Sequence, residues 1–350
     1  MKLGKVITDW HLCEKQKKMK KNIALVAGGD SDEYVISIKS AGMIRKNIDP
    51  ERYEVFLVLI REGNWVCQTS SGEEIAVDKN DFSVVLNGMR IRFDCAFITI
   101  HGTPGEDGKL QGYFDLLGIP YTTAGQLPCA LTFNKHFCNI VAAHFGMSIP
   151  RSVKLVRHER VDVQAIAGKQ SLPLFVKPNK GGSSLGNSLV TVPEELPAAI
   201  EAAFAHDDEV RVEEYIDGQE LTCGVFRKDG QVLALPVTYI KSKSGSVFFD
   251  YKAKYTKEAA EEITPAPITD ELTRLVRETT AMLYRAFELK GMARMDFIYA
   301  KGTLYFLEIN ITPGMSETSI VPQQAAIEGI SITELFTAVI EDALGGHTML

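Results

Sequence analysis

Two short runs near the carboxyl end, Arg294-Met295-Asp296 and Glu308-Ile309-Asn310, hold the densest chemistry in the chain, and Pro313-Gly314-Met315 follows at once. In an extended strand, residues two apart share a face. Two neighbouring strands would therefore turn two carboxylates, an amide oxygen and a guanidinium toward one point. Hard oxygen donors of that kind suit Mg²⁺, which keeps waters and takes one or two carboxylates together with substrate phosphates. The guanidinium can grip a carboxylate or phosphate oxygen in a forked contact. A pair of solvated charges at alternate positions is the ordinary alternative. The neighbours argue against it: Phe297, Ile298, Leu304, Tyr305, Phe306, Leu307 and Ile309 make both strands apolar enough to be buried in a sheet. Ionised groups there are costly unless paired or metal-bound. The cluster reads as a place where a metal-bound nucleotide meets an anionic substrate.

A second run carries phosphate-binding chemistry. Phe175-Val176-Lys177 is an apolar strand that delivers a lysine into Pro178-Asn179-Lys180-Gly181-Gly182-Ser183-Ser184-Leu185-Gly186. Glycines let backbone N–H groups close on phosphate oxygens, and Ser183 and Ser184 add hydroxyl donors. A glycine-serine run alone is commonly a plain turn; the lysine at the strand's end is what speaks for a phosphate. No G-x-x-x-x-G-K-[ST] loop occurs, and Gly28-Gly29 is not a dinucleotide fingerprint. That disfavours a hydride-transfer enzyme on a dinucleotide fold. His101-Gly102-Thr103-Pro104-Gly105-Glu106-Asp107-Gly108 is denser in glycine and charge than a connection needs. A lone histidine is more often structural, but one at the carboxyl end of a strand is a candidate for substrate contact.

The elements that must position these groups follow from hydrophobic pattern. Ile23–Ala27 reads as a buried strand ending in the Gly28-Gly29 turn, 37–46 as a helix, 53–60 and 95–100 as strands, and Asp107-Gly108 opens a helix through Leu117. This β-α-β alternation suggests an open parallel sheet, whose ligands gather at the carboxyl ends of strands. A helix over 133–145 closes on Gly146. A second unit follows, with strands at 174–177, 210–215 and 221–226 and a helix over 193–205. Residues 240–264 are polar and aromatic without steady periodicity, and a loop of that length usually serves a function or is disordered. An amphipathic helix over 270–287 precedes the two acidic strands, and a terminal helix covers 332–344. No repeat or low-complexity segment occurs.

At 350 residues, 45% hydrophobic and 24% charged, the chain has the composition of a globular protein of two or three domains. Its net charge of −7 argues against a nucleic-acid-coating surface and leaves room for a local basic pocket. Six cysteines, none in a C-x-x-C pair, point to a reduced, intracellular setting. No apolar run approaches a membrane span. Residues 1–21 are basic without a secretory apolar centre. They read as a disordered extension, with Met19 as an alternative start of translation.

Taken together and in order, the motifs resemble those of the D-alanine:D-alanine ligases of the ATP-grasp superfamily, from about Asn22 onward. Gly28-Gly29-Asp30-Ser31-Asp32-Glu33-Tyr34-Val35-Ile36-Ser37 resembles the first signature and 101–112 the second. The glycine-serine loop, Tyr251-Lys252-Ala253-Lys254-Tyr255, Arg294-Met295-Asp296 and Glu308 through Met315 complete the series. The resemblance implies a three-domain α/β ATP-grasp architecture with a Rossmann-like N-terminal domain at 22–122, a central lid domain at 123–220 and a catalytic domain at 221–350. It implies an enzyme that phosphorylates one D-alanine carboxylate with ATP and joins it to a second D-alanine, supplying peptidoglycan synthesis in the cytoplasm. A homodimer is expected, with no nucleic-acid or membrane partner.

By motif position, Asp296, Glu308 and Asn310 would hold two Mg²⁺ (Mn²⁺ could substitute), with Glu308 shared. Lys135, Lys177, Ser184 and Lys254 would hold phosphates; Glu213, Tyr215, Ile216, Glu220 and Phe248 would line the adenosine pocket. Glu33 would pair with the first D-alanine's ammonium, beside His101. Arg294 and the Gly314 N–H would stabilise the oxyanion. Ser319 and Lys254 would take the second carboxylate, against Ile320. Ser183 and Tyr255 would bond with Glu33 and latch the long loop over the site. Two departures stand out: Phe249 where relatives often carry tyrosine, and Tyr34 where arginine often follows the glutamate. A ligase using D-lactate or D-serine as second substrate is the nearest rival, against which Tyr255 speaks. A non-catalytic ATP-binding regulator would not need Arg294, Asp296, Glu308, Asn310 and Lys254 together.

Overall fold

The computed structural model describes residues 20–159, 166, 171–182, 185–242 and 260–345. The apolar run at the start forms β1 (Lys21–Gly28), its last six residues buried. It is followed by α1 (Tyr34–Asn47), β2 (Tyr53–Arg61), β3 (Asn64–Gln68), β4 (Glu74–Ala76), the small hairpin β5 (Val84–Leu86) and β6 (Met89–Ile91), β7 (Cys95–Ile98) and α2 (Lys109–Leu117). The first sheet has the order β4-β3-β2-β1-β7, with β2 and β7 both parallel to β1 and with β3 and β4 antiparallel. Chain leaves β1 toward both sides, so a crevice opens at the carboxyl ends of β1 and β7. Gly28 and Gly29 make that turn at φ of 103° and 97°. A Cβ on Gly29 would stand 2.5 Å from Ile100 Cγ2, so backbone freedom and space both demand glycine.

A helix that the sequence pattern did not reveal, α3 (Gln126–Phe133), precedes α4 (Lys135–His144), the helix expected over 133–145. They meet at Asn134, whose side chain accepts from the Phe137 N–H at 3.2 Å and so caps α4. The second sheet is built from β8 (Ser152–Val156), β9 (Leu174–Pro178), β10 (Ser188–Val190) and β11 (Glu209–Glu214), in the antiparallel order β10-β9-β11-β8. The helix α5 (Leu196–Phe204) shares its core. A 3-10 turn at Pro193–Glu195 means that the α-helix begins three residues later than the sequence pattern suggests.

The third sheet comprises β12 (Gln219–Lys228), β13 (Gln231–Ala234), β14 (Thr238–Ser242), β15 (Ala260–Ile263), β16 (Ala293–Ala300) and β17 (Thr303–Asn310). Its order is β15-β14-β12-β16-β17, with β13 paired to β12. Between β15 and β16 runs α6 (Asp270–Ala286), capped by Thr269 and burying Leu272, Val276, Thr280, Leu283 and Tyr284 at helical spacing. The chain ends in α7 (Ile320–Ile327) and α8 (Ile332–Gly345).

Packing does not follow chain order. Cys129 of α3 and Cys138 and Ala142 of α4 share a core with Met295, Phe297, Phe306 and Ile309 of the third sheet. Leu335, Phe336, Val339 and Ile340 of α8 share one with Ile23, Leu25 and Phe97 of the first. The Phe97 and Phe336 rings meet edge-on at 5.6 Å. The described cysteines are all free and buried.

Candidate active site

Strands β16 and β17 pair so that Arg294 faces Asn310 and Asp296 faces Glu308. Cross-strand partners share a sheet face, so the four side chains predicted to converge do so. The register then shifts by one between Asp296 and Phe297. This bulge lets two successive residues, Leu307 and Glu308, both line the cleft that Arg294, Asp296 and Ile298 face. On the other side of β16, Thr222 of β12 lies opposite Asp296 and donates its hydroxyl to Asp296 Oδ1 at 2.5 Å. Arg294 grips the same carboxylate in a fork, Nε to Oδ1 at 2.9 Å and Nη2 to Oδ2 at 2.7 Å. Burial opposes the Arg294 charge, but Asp296 more than offsets it and holds the guanidinium above its usual range. Asn310 Oδ1 accepts from the Thr312 N–H at 3.0 Å. Two carboxylates and an amide oxygen in this arrangement are a donor set that fits Mg²⁺.

The cleft between the second and third sheets has a volume of about 550 Å³. Its walls include Lys135, Lys177, Glu213, Tyr215, Ile216 and Glu220, each expected at a nucleotide site, together with Asp296 and Glu308. Lys135, at the first turn of α4, stands 3.7 Å from Glu308 Oε2 and donates to the Gly181 carbonyl. Lys177 is buried, with its ammonium 2.5 Å from Glu213 Oε1. Burial draws the Lys177 amine below its ordinary range, against the pull of Glu213. Asn179 ties the glycine loop to α4: its Oδ1 accepts from the His136 N–H at 2.9 Å and its backbone carbonyl from the Lys135 N–H at 3.1 Å.

Glu33 and His101 come from the carboxyl ends of β1 and β7. Glu33 stands at the N-terminus of α1, and a Cβ on Gly182 would lie 3.1 Å from its Oε2, so the glycine loop touches the first domain here. His101 is buried; desolvation lowers its pKa, Glu33 pushes it up and Arg294 down. Among the described residues its Nε2 has no hydrogen-bond partner. Glu106 accepts from the Gly102 N–H at 2.6 Å, and burial, reinforced by Glu33, pushes its carboxyl up to about 8. Ser319 precedes α7 without a capping bond from its side chain; its Oγ instead accepts from the Ser316 N–H at 2.9 Å with Gly314 alongside, and Ile320 lines the cleft.

Ser183, Ser184, Phe248, Phe249, Lys254 and Tyr255 lie outside the described residues, so the expected latch and half the expected phosphate donors are not described. Sequence reasoning passed over Thr222, Phe175 and Leu307, all of which line the cleft. Thr222 follows Glu220 by two and Phe175 precedes Lys177 by two, a period that could have placed both on the working face. Nothing in sequence announces the bulge that turns Leu307 inward.

Comparison with known proteins agrees with this geometry. A family model described as D-ala D-ala ligase N-terminus matches residues 22–124, and one described as D-ala D-ala ligase C-terminus matches residues 141–341. The chain belongs to the D-alanine–D-alanine ligase family. A D-alanine--D-alanine ligase from Parabacteroides distasonis is 46% identical to it over 327 residues, 93% of this chain and 98% of that protein. Among solved structures, a D-Ala:D-Ser ligase from Enterococcus faecalis superposes with TM-score 0.82 at 33% identity, covering 92% of this chain and 99% of that one. A Bacillus anthracis D-alanine--D-alanine ligase complexed with ATP gives TM-score 0.74 at 29% identity, over 94% and 98%. The fold is the α/β ATP-grasp architecture of the ligase family, with its Rossmann-like first sheet.

Proposed function

We propose that the protein is an ATP-dependent ligase that joins two D-alanines through a D-alanyl phosphate, giving the dipeptide used in peptidoglycan synthesis. The observation that carries this reading is the pairing of Asp296 with Glu308 and of Arg294 with Asn310 on one face, with Arg294, Asp296 and Glu308 lining a cleft that also holds Lys135 and Lys177. A carboxylate is a poor electrophile, and phosphorylation gives it a leaving group. ATP and the carboxylate are both anions and must first be brought together. Lys135 and Lys177 offset that repulsion, and Glu213, Tyr215, Ile216 and Glu220 receive the nucleoside. Asp296, Glu308 and Asn310 would hold Mg²⁺, which would supply charge neutralisation for the phosphates. Arg294, oriented by its fork on Asp296, would serve the oxyanion that forms at the attacked carbon, near Gly314.

Glu33 would take the first ammonium, with His101 Nε2 beside it as a hydrogen-bonding group. Ser319 and Ile320 would receive the second amino acid. The roles of Ser183, Ser184, Phe248, Lys254 and Tyr255 stand as the resemblance implies. The domain boundaries 22–122, 123–220 and 221–350, the homodimer and the cytoplasmic setting belong to the same proposal. Among the described residues no helix is long and apolar enough to cross a membrane.

The D-Ala:D-Ser ligase among the structural relatives makes the second substrate the point to test. With ATP and Mg²⁺ supplied, mass spectrometry of products formed from D-alanine, D-serine and D-lactate offered together should show D-alanyl-D-alanine as the main species, with phosphate release that requires D-alanine. D-alanyl-D-serine or D-alanyl-D-lactate in excess overturns the substrate assignment.

A further inference from the structure

The largest fully buried side chain among the described residues carries a charge: Arg211, in the middle of β11. Register sets it directly opposite Lys177 of β9. Facing cations repel, and removal from water raises the cost. Glu213, two residues on, lies between them, with Oε1 2.5 Å from Lys177 Nζ and Oε2 3.2 Å from Arg211 Nη2. The guanidinium also donates from Nη1 to the Lys135 carbonyl at 2.8 Å and from Nη2 to Ser152 Oγ at 3.0 Å. Asn139, one turn along α4, adds to these contacts in the amide orientation that satisfies its neighbours, while Arg211 Nε has no hydrogen-bond partner among the described residues. The Asn139 oxygen accepts from Arg211 Nη1 and Nη2 at 3.1 and 3.0 Å, and its nitrogen donates to the Lys135 and Leu307 carbonyls at 3.3 and 3.0 Å. One guanidinium is thus joined to both cleft lysines and, through Asn139, to the residue before Glu308.

We propose that Arg211 is a positioning residue of the nucleotide site, acting chiefly through the Glu213 carboxylate to fix where the Lys177 ammonium stands and, through the Lys135 carbonyl, to anchor the turn that carries Lys135. The proposal rests on the cleft being the ATP site. With Arg211 in place Glu213 divides its two oxygens between two cations. Without it both oxygens fall to Lys177, which is drawn onto Glu213 and away from an incoming phosphate. A lysine at 211 keeps the charge but lacks the planar fork that reaches Glu213, Ser152 and a carbonyl together. A purely structural Arg211 would leave the affinity of the folded protein for ATP untouched.

Calorimetric titration of the full-length protein with ATP and Mg²⁺, without amino acid, tests this. Arg211→Met risks unfolding because it strands Glu213, so Arg211→Lys is the deciding variant. It should bind ATP about tenfold more weakly while its KM for D-alanine moves less than about twofold. In a Glu213→Gln background the same change should cost at most about twofold, because the group it works through is gone. A folded Arg211→Lys variant within about threefold of the parent's ATP affinity, or an undiminished loss in the Glu213→Gln background, overturns the proposal. Failure of the parent protein to bind ATP would instead remove the reading of the cleft.

Discussion

The two ends of the site hold their charges in different ways. At the phosphate end, cations and anions are matched: Lys177 on Glu213, Lys135 near Glu308, Arg294 on Asp296. At the amino-acid end burial dominates: it lowers the His101 pKa against the upward pull of Glu33 and, with Glu33 adding to it, keeps Glu106 protonated up to about 8. The first arrangement suits a polyanion that must displace carboxylates from lysines and arginine. The second sets Glu33 beside a buried imidazole and a buried carboxyl, where a small zwitterion is expected. One end is set by ion pairs and the other by burial.

The largest test of that contrast removes a charge from the matched end. Glu308→Gln should lower kcat roughly 10²- to 10³-fold, the several kcal/mol expected when a metal-held charge is lost from the transition state. Thermal unfolding should change little, because Glu308 is only part-buried. Turnover near the parent's would place the chemistry elsewhere. Gly182→Ala probes the seam between the ends, since its methyl would press on Glu33 Oε2. The KM for D-alanine should rise about tenfold through misplacement of that carboxylate, with ATP affinity nearly unchanged. An equal loss of ATP affinity would erase the separation drawn here.

The smallest effect belongs to Glu106. Its folded pKa, about 8, lies above the ordinary glutamate value of 4.5, so the folded state holds the proton more tightly. The stability this contributes is full below pH 4.5 and is lost as pH rises through 8. The slope in that window is at most about 1.4 kcal/mol per pH unit. Glu106→Gln should therefore flatten the fall in unfolding temperature between pH 5 and pH 8, as followed by calorimetry. An unchanged profile would show that Glu106 is not the group that titrates.

Much of the site could be read from residue spacing. The acidic strands are apolar apart from their working residues, so period two fixed both their type and their face. The α6 stretch alternates its apolar residues at helical spacing and is correspondingly clear. What escaped depends on partners far away in the chain. Arg211 sits in Val210-Arg211-Val212-Glu213, an alternation that reads as a solvated face; it is buried because Lys177, Asn139 and Ser152 close around it. Helix α3 escaped because its eight residues, Pro128 among them, carry too short a pattern to read. The boundary drawn at 123–220 groups α3 and α4 with the second sheet by chain order, whereas their buried residues pack on the third.

Helix α8 has a bearing on how the molecule comes to be made. Leu335, Phe336, Val339 and Ile340 cover a face of the sheet that opens the polypeptide. While the ribosome is still working, that face is covered only in part, by residues such as Ala41 and Ile44 of α1, until synthesis has passed Ile340. Vectorial synthesis thus leaves a half-shielded greasy surface for most of the elongation time, an invitation to chaperones or to aggregation. A nonsense codon just ahead of Ile332 would strip this cover and undo the beginning of the protein along with its end.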